Sequence, residues 1–171
     1  FNDFPEYSVL NSPVVEFHCS SQDMYDPVSG ISSDTSQLII HAPEFIDQMI
    51  VNICAEEGSY QLNKTLDLIQ HTINRTISLG KEFQGKPKLV IHLGGMSFEK
   101  IPDNEIKDER KKLLNLAIKN FSKLNYDPEQ IEILPENLPP KPWLLGGEWS
   151  QYGFMHDDDM IEFCEHFDFN M

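Results

Sequence analysis

Four short apolar runs constrain the fold of this chain more than any other feature. They are "VVEFH" (14–18), "QLIIH" (37–41), "KLVIH" (88–92) and "EILPE" (132–136). Most of their residues are β-branched or aliphatic, which is typical of parallel strands that are covered on both faces. We therefore predict four buried parallel strands.

Helical patterns lie between these runs. Residues 60–79 and 104–124 each place apolar residues on one face, and residues 158–167 form a third, short pattern. The stripe of the first pattern comprises Leu62, Leu66, Ile69, Ile73 and Ile77. Gly80 is a candidate C-terminal cap for this helix, and His71, which lies off the stripe, is expected to face solvent. Alternation of strands and helices predicts an α/β fold with βαβ units, although segment 19–36 has turn chemistry and is expected to be a loop.

Composition limits the classes of function. A chain of 171 residues that is 40% hydrophobic can form one domain with a buried core, and no apolar run approaches the length of a membrane span. The net charge of −15 repels nucleic acid and anionic membranes, so neither is an expected partner. Cys19, Cys54 and Cys164 are odd in number and widely spaced, which favours reduced thiols in a cytoplasmic protein.

A residue able to bind a metal ends each of the four runs. These residues are His18, His41, His92 and Glu136. Because the carboxyl ends of parallel strands meet at one edge of the sheet, the four side chains are expected to converge. Imidazole and carboxylate ligands suit zinc, manganese or iron, and such an ion would supply the positive charge that Glu136 needs beside an apolar run. Taken singly, a histidine at a strand end is more often a polar residue making a turn contact.

Three ordered motifs give the chain a resemblance to a known superfamily. "LIIHAPEFIDQMIVNIC", "LVIHLGGMS" and "IEILPENLP" resemble the xylose-isomerase-like TIM barrels, a group that includes sugar-phosphate isomerases, epimerases and the endonuclease IV enzymes. The likeness covers about residues 37–167. It implies that the chain forms strands two to five of a (β/α) barrel.

The same resemblance implies roles for individual residues. His41, His92 and Glu136 match positions that ligate metal, and Glu136 would be able to bridge two metals. Asn137, which follows Glu136, is expected to contact substrate. His18 matches no consistent ligand position, so we expect it either to contact substrate or to be structural.

A full TIM barrel needs roughly 250 residues, so the chain is expected to be one incomplete barrel domain. Residues 1–36 would hold the first strand and a loop, and residues 37–171 the βα units. Either the chain is a truncated part of a longer enzyme, which we favour, or it is a half-barrel completed by another chain or by a homo-oligomer. Open strand edges favour association in both cases.

The resemblance implies a divalent-metal-dependent sugar isomerase or epimerase, acting on a phosphorylated or nucleotide-linked sugar. The metal, zinc or manganese, would polarise a carbonyl while a carboxylate moves the adjacent proton. Glu136 is the candidate for that carboxylate. Trp143 and Trp149 are candidates for stacking on the sugar, although simple loop packing explains each equally well.

Two alternatives remain at this level. An endonuclease IV type, zinc-dependent, apurinic-site DNA endonuclease would use the same His41, His92 and Glu136, but it needs a basic face. The loop "ENLPPKPWLLGGEW" also departs from the small-residue turn of those endonucleases. A non-catalytic binding or assembly module is the third possibility, and it predicts no bound metal.

Overall fold

The computed structural model describes residues 12–28, 31–139 and 149–169. In chain order the strands are β1 (Val14–His18), β2 (Gln37–His41), β3 (Phe45–Ile46), β4 (Met49–Ile50), β5 (Lys88–His92), β6 (Met96–Ser97), β7 (Glu132–Glu136) and β8 (Ser150–Gln151). The helices of the described residues are α1 (Tyr60–Gly80), α2 (Ile106–Phe121) and α3 (Asp157–Phe167). The chain is therefore a mixed α/β fold, as predicted, and none of these helices is long and apolar enough to cross a membrane.

The four predicted strands form one parallel sheet. Their order is β1-β2-β5-β7, and their bounds coincide with the four apolar runs. Two short antiparallel ladders accompany the sheet, β3 with β4 and β6 with β8. These two-residue strands were not predicted because they are too short to show a hydrophobic period.

The two faces of the sheet differ in burial. One face contributes Leu38, Ile40, Leu89, Ile91 and Ile133, each at most 2% exposed, to the core that the helices share. The alternate residues of the same strands face the other way. On that second face the apolar side chains are only half-buried and lie outside the core cluster; they are Ile39, Val90 and Leu134. The prediction of burial on both faces is therefore wrong for the described residues.

Helix α1 packs on the core with a face that is partly polar. Ser59 caps its first turn by accepting a hydrogen bond from the backbone N–H of Leu62. The buried positions include three threonines, and two members of the predicted stripe are only half-buried. The threonines are Thr65, Thr72 and Thr76, and the half-buried residues are Leu66 and Ile77. The hydroxyl of Thr72 donates to the carbonyl of Leu68, which lets a polar residue occupy the interior.

Two expectations about this helix are corrected. Gly80 is the last helical residue and not a left-handed cap, because Lys81 follows it in right-handed conformation. A Cβ at Gly80 would overlap the ring of Pro87, so glycine here permits close packing. His71 is half-buried, since its Nε2 lies 2.8 Å from the carbonyl oxygen of Met24 and its ring stacks on Tyr25.

Helices α2 and α3 are joined by an aromatic cluster and by an ion pair. Phe121 is fully buried, and four aromatic rings lie 4.9–6.0 Å from its centroid. These rings belong to Tyr126, Phe163, Phe167 and Phe169. The guanidinium of Arg110 donates two hydrogen bonds, of 2.9 and 3.0 Å, to the buried carboxylate of Asp159.

Candidate metal centre

The carboxyl ends of the four parallel strands bring the predicted side chains together. The rings of His18 and His41 stack with centroids 4.4 Å apart, and the rings of His41 and His92 lie 5.0 Å apart. Glu136 ends the neighbouring strand, and its Oε2 lies 3.3 Å from His41 Nε2 and 3.9 Å from His92 Nε2. The expected convergence at this edge of the sheet is therefore observed.

A second carboxylate, Glu44, also reaches the histidines. Its Oε1 lies 3.4 Å from His92 Nε2. His41, Glu44 and His92 each offer a ligand atom, all within 4.8 Å of one another, so this group could hold a metal ion. Sequence reasoning missed Glu44, although its place three residues after His41 in "HAPE" was the available signal.

The Nδ1 atoms of His41 and His92 both contact backbone carbonyl oxygens. His41 Nδ1 lies 3.2 Å from the carbonyl oxygen of Ala42, and His92 Nδ1 lies 3.3 Å from that of Glu136. A carbonyl oxygen can only accept, so both Nδ1 atoms carry a hydrogen and donate it. In a neutral imidazole Nε2 then presents a lone pair.

Those lone pairs point at acceptors. Nε2 of His41 faces a carboxylate oxygen of Glu136, and Nε2 of His92 faces one of Glu44. Two acceptors face each other favourably only when a cation lies between them, either a proton on the ring or a metal ion. A backbone contact behind each histidine is also the usual support of a metal-bound imidazole.

The spacing of the donor atoms fits an ion of the size found in proteins. Ligands about 2.0–2.1 Å from a tetrahedral ion lie about 3.3–3.4 Å from one another. The distances from Glu136 Oε2 to His41 Nε2 and from Glu44 Oε1 to His92 Nε2 are 3.3 and 3.4 Å. The distance of 3.9 Å from Glu136 to His92 requires a wider angle or a small shift of one carboxylate. The two shortest spacings therefore fit a divalent cation, and the ligand atoms of His41, Glu44 and His92, which lie within 4.8 Å of one another, would have to move closer together to bind one ion.

Burial separates the imidazoles from the carboxylates. The side chains of His41 and His92 are 9% and 11% exposed, whereas those of Glu44 and Glu136 are 31% and 51% exposed. The imidazoles thus form the floor of the site and the carboxylates its rim. Limited access of water strengthens electrostatic interactions at such a floor.

His18 lies outside the ligand group. Its side chain is 73% exposed, its ring covers one face of His41, and its Nε2 lies 3.2 Å from Glu16 Oε1. Glu16 therefore pairs with a residue of its own strand. The arrangement fits a residue that borders the site and meets an entering molecule.

Beside the histidines lies an open cleft of about 460 Å³. Its walls come from the turns that follow β1 and β2, and they include His18, His41 and Glu44. Among the described residues, the ion pairs of Glu44 and Glu136 are with histidines and not with lysine or arginine, so no permanently charged cation neutralises these carboxylates there. The mouth of the site is therefore acidic.

The turn after His92 is held by two residues that sequence reasoning also missed. Gly94 and Gly95 have φ values of +82° and +83°, and a Cβ at Gly94 would overlap Asn52. The side-chain oxygen of Asn52 accepts a hydrogen bond of 3.1 Å from Gly95 N, and Gln151 Nε2 donates one of 2.7 Å to the Gly94 carbonyl. Both contacts join residues more than 40 positions apart, so no local sequence pattern predicts them.

The predicted sugar-contacting residues are only partly placed. Trp149 is half-buried and packs edge-on against Phe98, with centroids 6.0 Å apart. Asn137 is exposed beside Glu136. Trp143 lies outside the described residues, so its predicted stacking role stays a prediction.

No protein-family model matches the chain, and neither a curated protein nor a solved structure matches it.

Proposed function

We propose that this chain belongs to a divalent-metal-dependent sugar isomerase or epimerase. One observation carries the metal part of the proposal. The Nδ1 atoms of His41 and His92 are engaged by backbone carbonyls, which leaves both Nε2 lone pairs facing carboxylate oxygens at one edge of a parallel sheet. A divalent cation bound there would supply the positive charge that these lone pairs and carboxylates face.

Zinc and manganese are the proposed ions. Two imidazole nitrogens favour zinc, and a rim of carboxylate oxygens is also compatible with manganese. The proposed ligands are His41, His92 and Glu136, with Glu44 as an additional carboxylate.

The proposed reaction is proton transfer at a carbon next to a carbonyl. A bound ion acts there as a Lewis acid that polarises the carbonyl oxygen. Glu136 would accept the proton and return it, since its carboxylate is half exposed at the mouth of the site. His18 would meet hydroxyl groups of a substrate in the cleft, while Asn137, Trp143 and Trp149 remain the candidates for further sugar contacts.

We also propose that the sheet is part of a xylose-isomerase-like TIM barrel, of which it would form strands two to five. Functional side chains at the carboxyl ends of parallel strands are typical of that architecture. A closed barrel would bury the half-exposed face that carries Ile39, Val90 and Leu134. It would also pair the outer edges of β1 and β7, each of which has one strand neighbour in the described sheet.

Sedimentation equilibrium tests the role of these edges. Unpaired parallel edges predict association that increases with protein concentration, either between copies or with another chain. A chain that stays monomeric over a hundredfold concentration range contradicts association between copies and leaves pairing with another chain as the way to complete the sheet.

The hypothesis that the chain is an endonuclease has weaker support. A DNA enzyme needs a basic surface, whereas the chain carries a net charge of −15 and Glu44 and Glu136 pair with histidines. The non-catalytic module is distinguished by metal analysis.

The metal content of the purified chain is the first test. After dialysis against zinc or manganese, we expect about one bound ion per chain, measured by elemental mass spectrometry. His92→Ala should lower the affinity at least a hundredfold, because it removes a direct ligand. His166→Ala is the matched control, since His166 is exposed on α3 and distant in sequence from the site.

The second test addresses the reaction. With metal bound, deuterium from solvent should enter a sugar substrate at the carbon next to the carbonyl. Absence of any bound ion would refute the metalloenzyme proposal and favour a binding module. Bound ion without exchange on a panel of aldoses, ketoses and their phosphates would refute the isomerase assignment alone.

A further inference from the structure

We propose that Glu44 is a displaceable ligand, which binds the ion in the resting site and leaves it when an oxygen ligand enters through the cleft. This inference rests on the metal site proposed above, and it assigns to Glu44 a role different from that of Glu136.

The number of protein donors gives the reason for a displaceable group. His41, Glu44 and His92 form one candidate group, and Glu136, which lies near both imidazoles, would raise the number of donors to four. Four protein donors complete a tetrahedral shell, as in structural zinc sites, whereas catalytic sites keep a position open. With both carboxylates bound, one of them would have to leave before a substrate oxygen could bind the ion.

The contacts of the two carboxylates indicate which one leaves. Glu136 Oε2 lies near both His41 and His92, and the Glu136 backbone carbonyl also engages His92 Nδ1. Glu44 Oε1 lies 3.4 Å from His92 Nε2, and the Glu44 ligand atom lies within 4.8 Å of that of His41. The Glu44 backbone carbonyl, however, engages Val51 and not a histidine. Glu136 is the more exposed of the two, but its backbone also holds the ring of His92, and Glu44 leaves without disturbing that contact.

The position of Glu44 agrees with this assignment. Glu44 lines the open cleft together with His18 and His41, whereas Glu136 does not line it. A molecule that enters by the cleft therefore reaches Glu44 on its way to the imidazoles.

The backbone around Glu44 is held in place. Its carbonyl oxygen accepts a hydrogen bond of 2.8 Å from Val51 N, across the β3–β4 hairpin, and Pro43 before it is buried and has a restricted φ. Release is therefore a rotation of the side chain and requires no opening of the loop. In the exchange one metal–carboxylate bond breaks and one metal–oxygen bond forms, with no transfer of protons or electrons.

Cobalt(II) substitution with acetohydroxamate, a bidentate oxygen ligand, tests the proposal. If Glu44 occupies the ion about nine-tenths of the time, the apparent affinity for acetohydroxamate is lowered about tenfold. Glu44→Ala should therefore retain cobalt and bind acetohydroxamate about tenfold more tightly than the unsubstituted protein, as followed by the visible absorption of cobalt. Glu44→Gln keeps the size of the side chain and should behave similarly, while Glu56→Ala, at an exposed position, is the control.

Each other outcome overturns a defined statement. Unchanged acetohydroxamate affinity in both Glu44 variants, with cobalt bound, refutes the role of Glu44 alone. Loss of cobalt as complete as in His92→Ala shows that Glu44 is a permanent ligand, which also refutes it. Failure of the unsubstituted protein to bind cobalt refutes the metal site, and the inference about Glu44 with it.

Discussion

Replacing Asn52 by alanine is expected to lower both the stability of the protein and its affinity for metal. The side-chain oxygen of Asn52 accepts hydrogen bonds from Cys54 N (3.0 Å) and Gly95 N (3.1 Å). Both of those residues are buried, so the two N–H groups have no ready access to water in the variant. Asn52 itself is anchored to α1, because its backbone N–H donates to the hydroxyl of Thr65.

The magnitude follows from the two donors left without an acceptor. Each buried, unsatisfied N–H costs about 1–3 kcal/mol. Asn52 is only partly buried, so water can reach part of the vacated volume, and we take the lower part of the sum, about 2–4 kcal/mol. With a slope of about 2 kcal/mol per molar urea, the unfolding midpoint should fall by about 1–2 M.

Urea unfolding followed by circular dichroism, with and without zinc, is the assay. Asn52→Asp is the matched variant, because its carboxylate keeps an acceptor for both N–H groups and such bonds stabilise the charged form. It should lose at most half as much stability as Asn52→Ala. The zinc affinity of Asn52→Ala should also fall, by about 10- to 100-fold, since the turn that follows His92 loses its support. Equal midpoints for Asn52→Ala and the unsubstituted protein would refute the reasoning.

Three further predictions concern the rest of the fold. Phe121→Ala should lower the free energy of unfolding by about 3–5 kcal/mol, measured in urea, because a fully buried ring is removed. Asp159→Ala should cost about 3 kcal/mol by leaving the guanidinium of Arg110 unpaired, and Arg110→Met with Asp159→Leu should recover much of that loss in the same assay. Burial raises the pKa of the Cys54 thiol above its ordinary value of 9.0 and that of Cys19 to about 12. Since the unfolded thiols ionise first, stability should fall as pH rises above 9.0, by up to about 1.4 kcal/mol per pH unit for each thiol, and a flat profile from pH 9 to 10.5 would contradict this.

Local pattern was sufficient for the main elements of the fold. All four strands of the sheet were predicted with their observed bounds, because each is a compact apolar run that ends in a polar residue. Helix α1 was predicted for residues 60–79 and extends to Gly80. Burial was predicted less well, since His71 is covered by a loop that is distant in sequence.

The site was predicted only where it follows from strand ends. His41, His92 and Glu136 converge because parallel strands present their carboxyl ends at one edge. Glu44, Asn52 and Gln151 were missed, since their roles arise from contacts between segments that no periodicity connects.

The pairing register of the parallel strands connects the packing of the core with the geometry of the metal site. His41 lies opposite Val90, and His92 lies opposite Glu136, so the two imidazoles are staggered by two residues along neighbouring strands. A slip of one residue in β5 would turn His92 toward the helices and bring Ile91 to the open face. Burial of Ile91, which is 1% exposed, opposes that slip. The apolar alternation that forms the core therefore also selects the face on which the metal-binding groups meet.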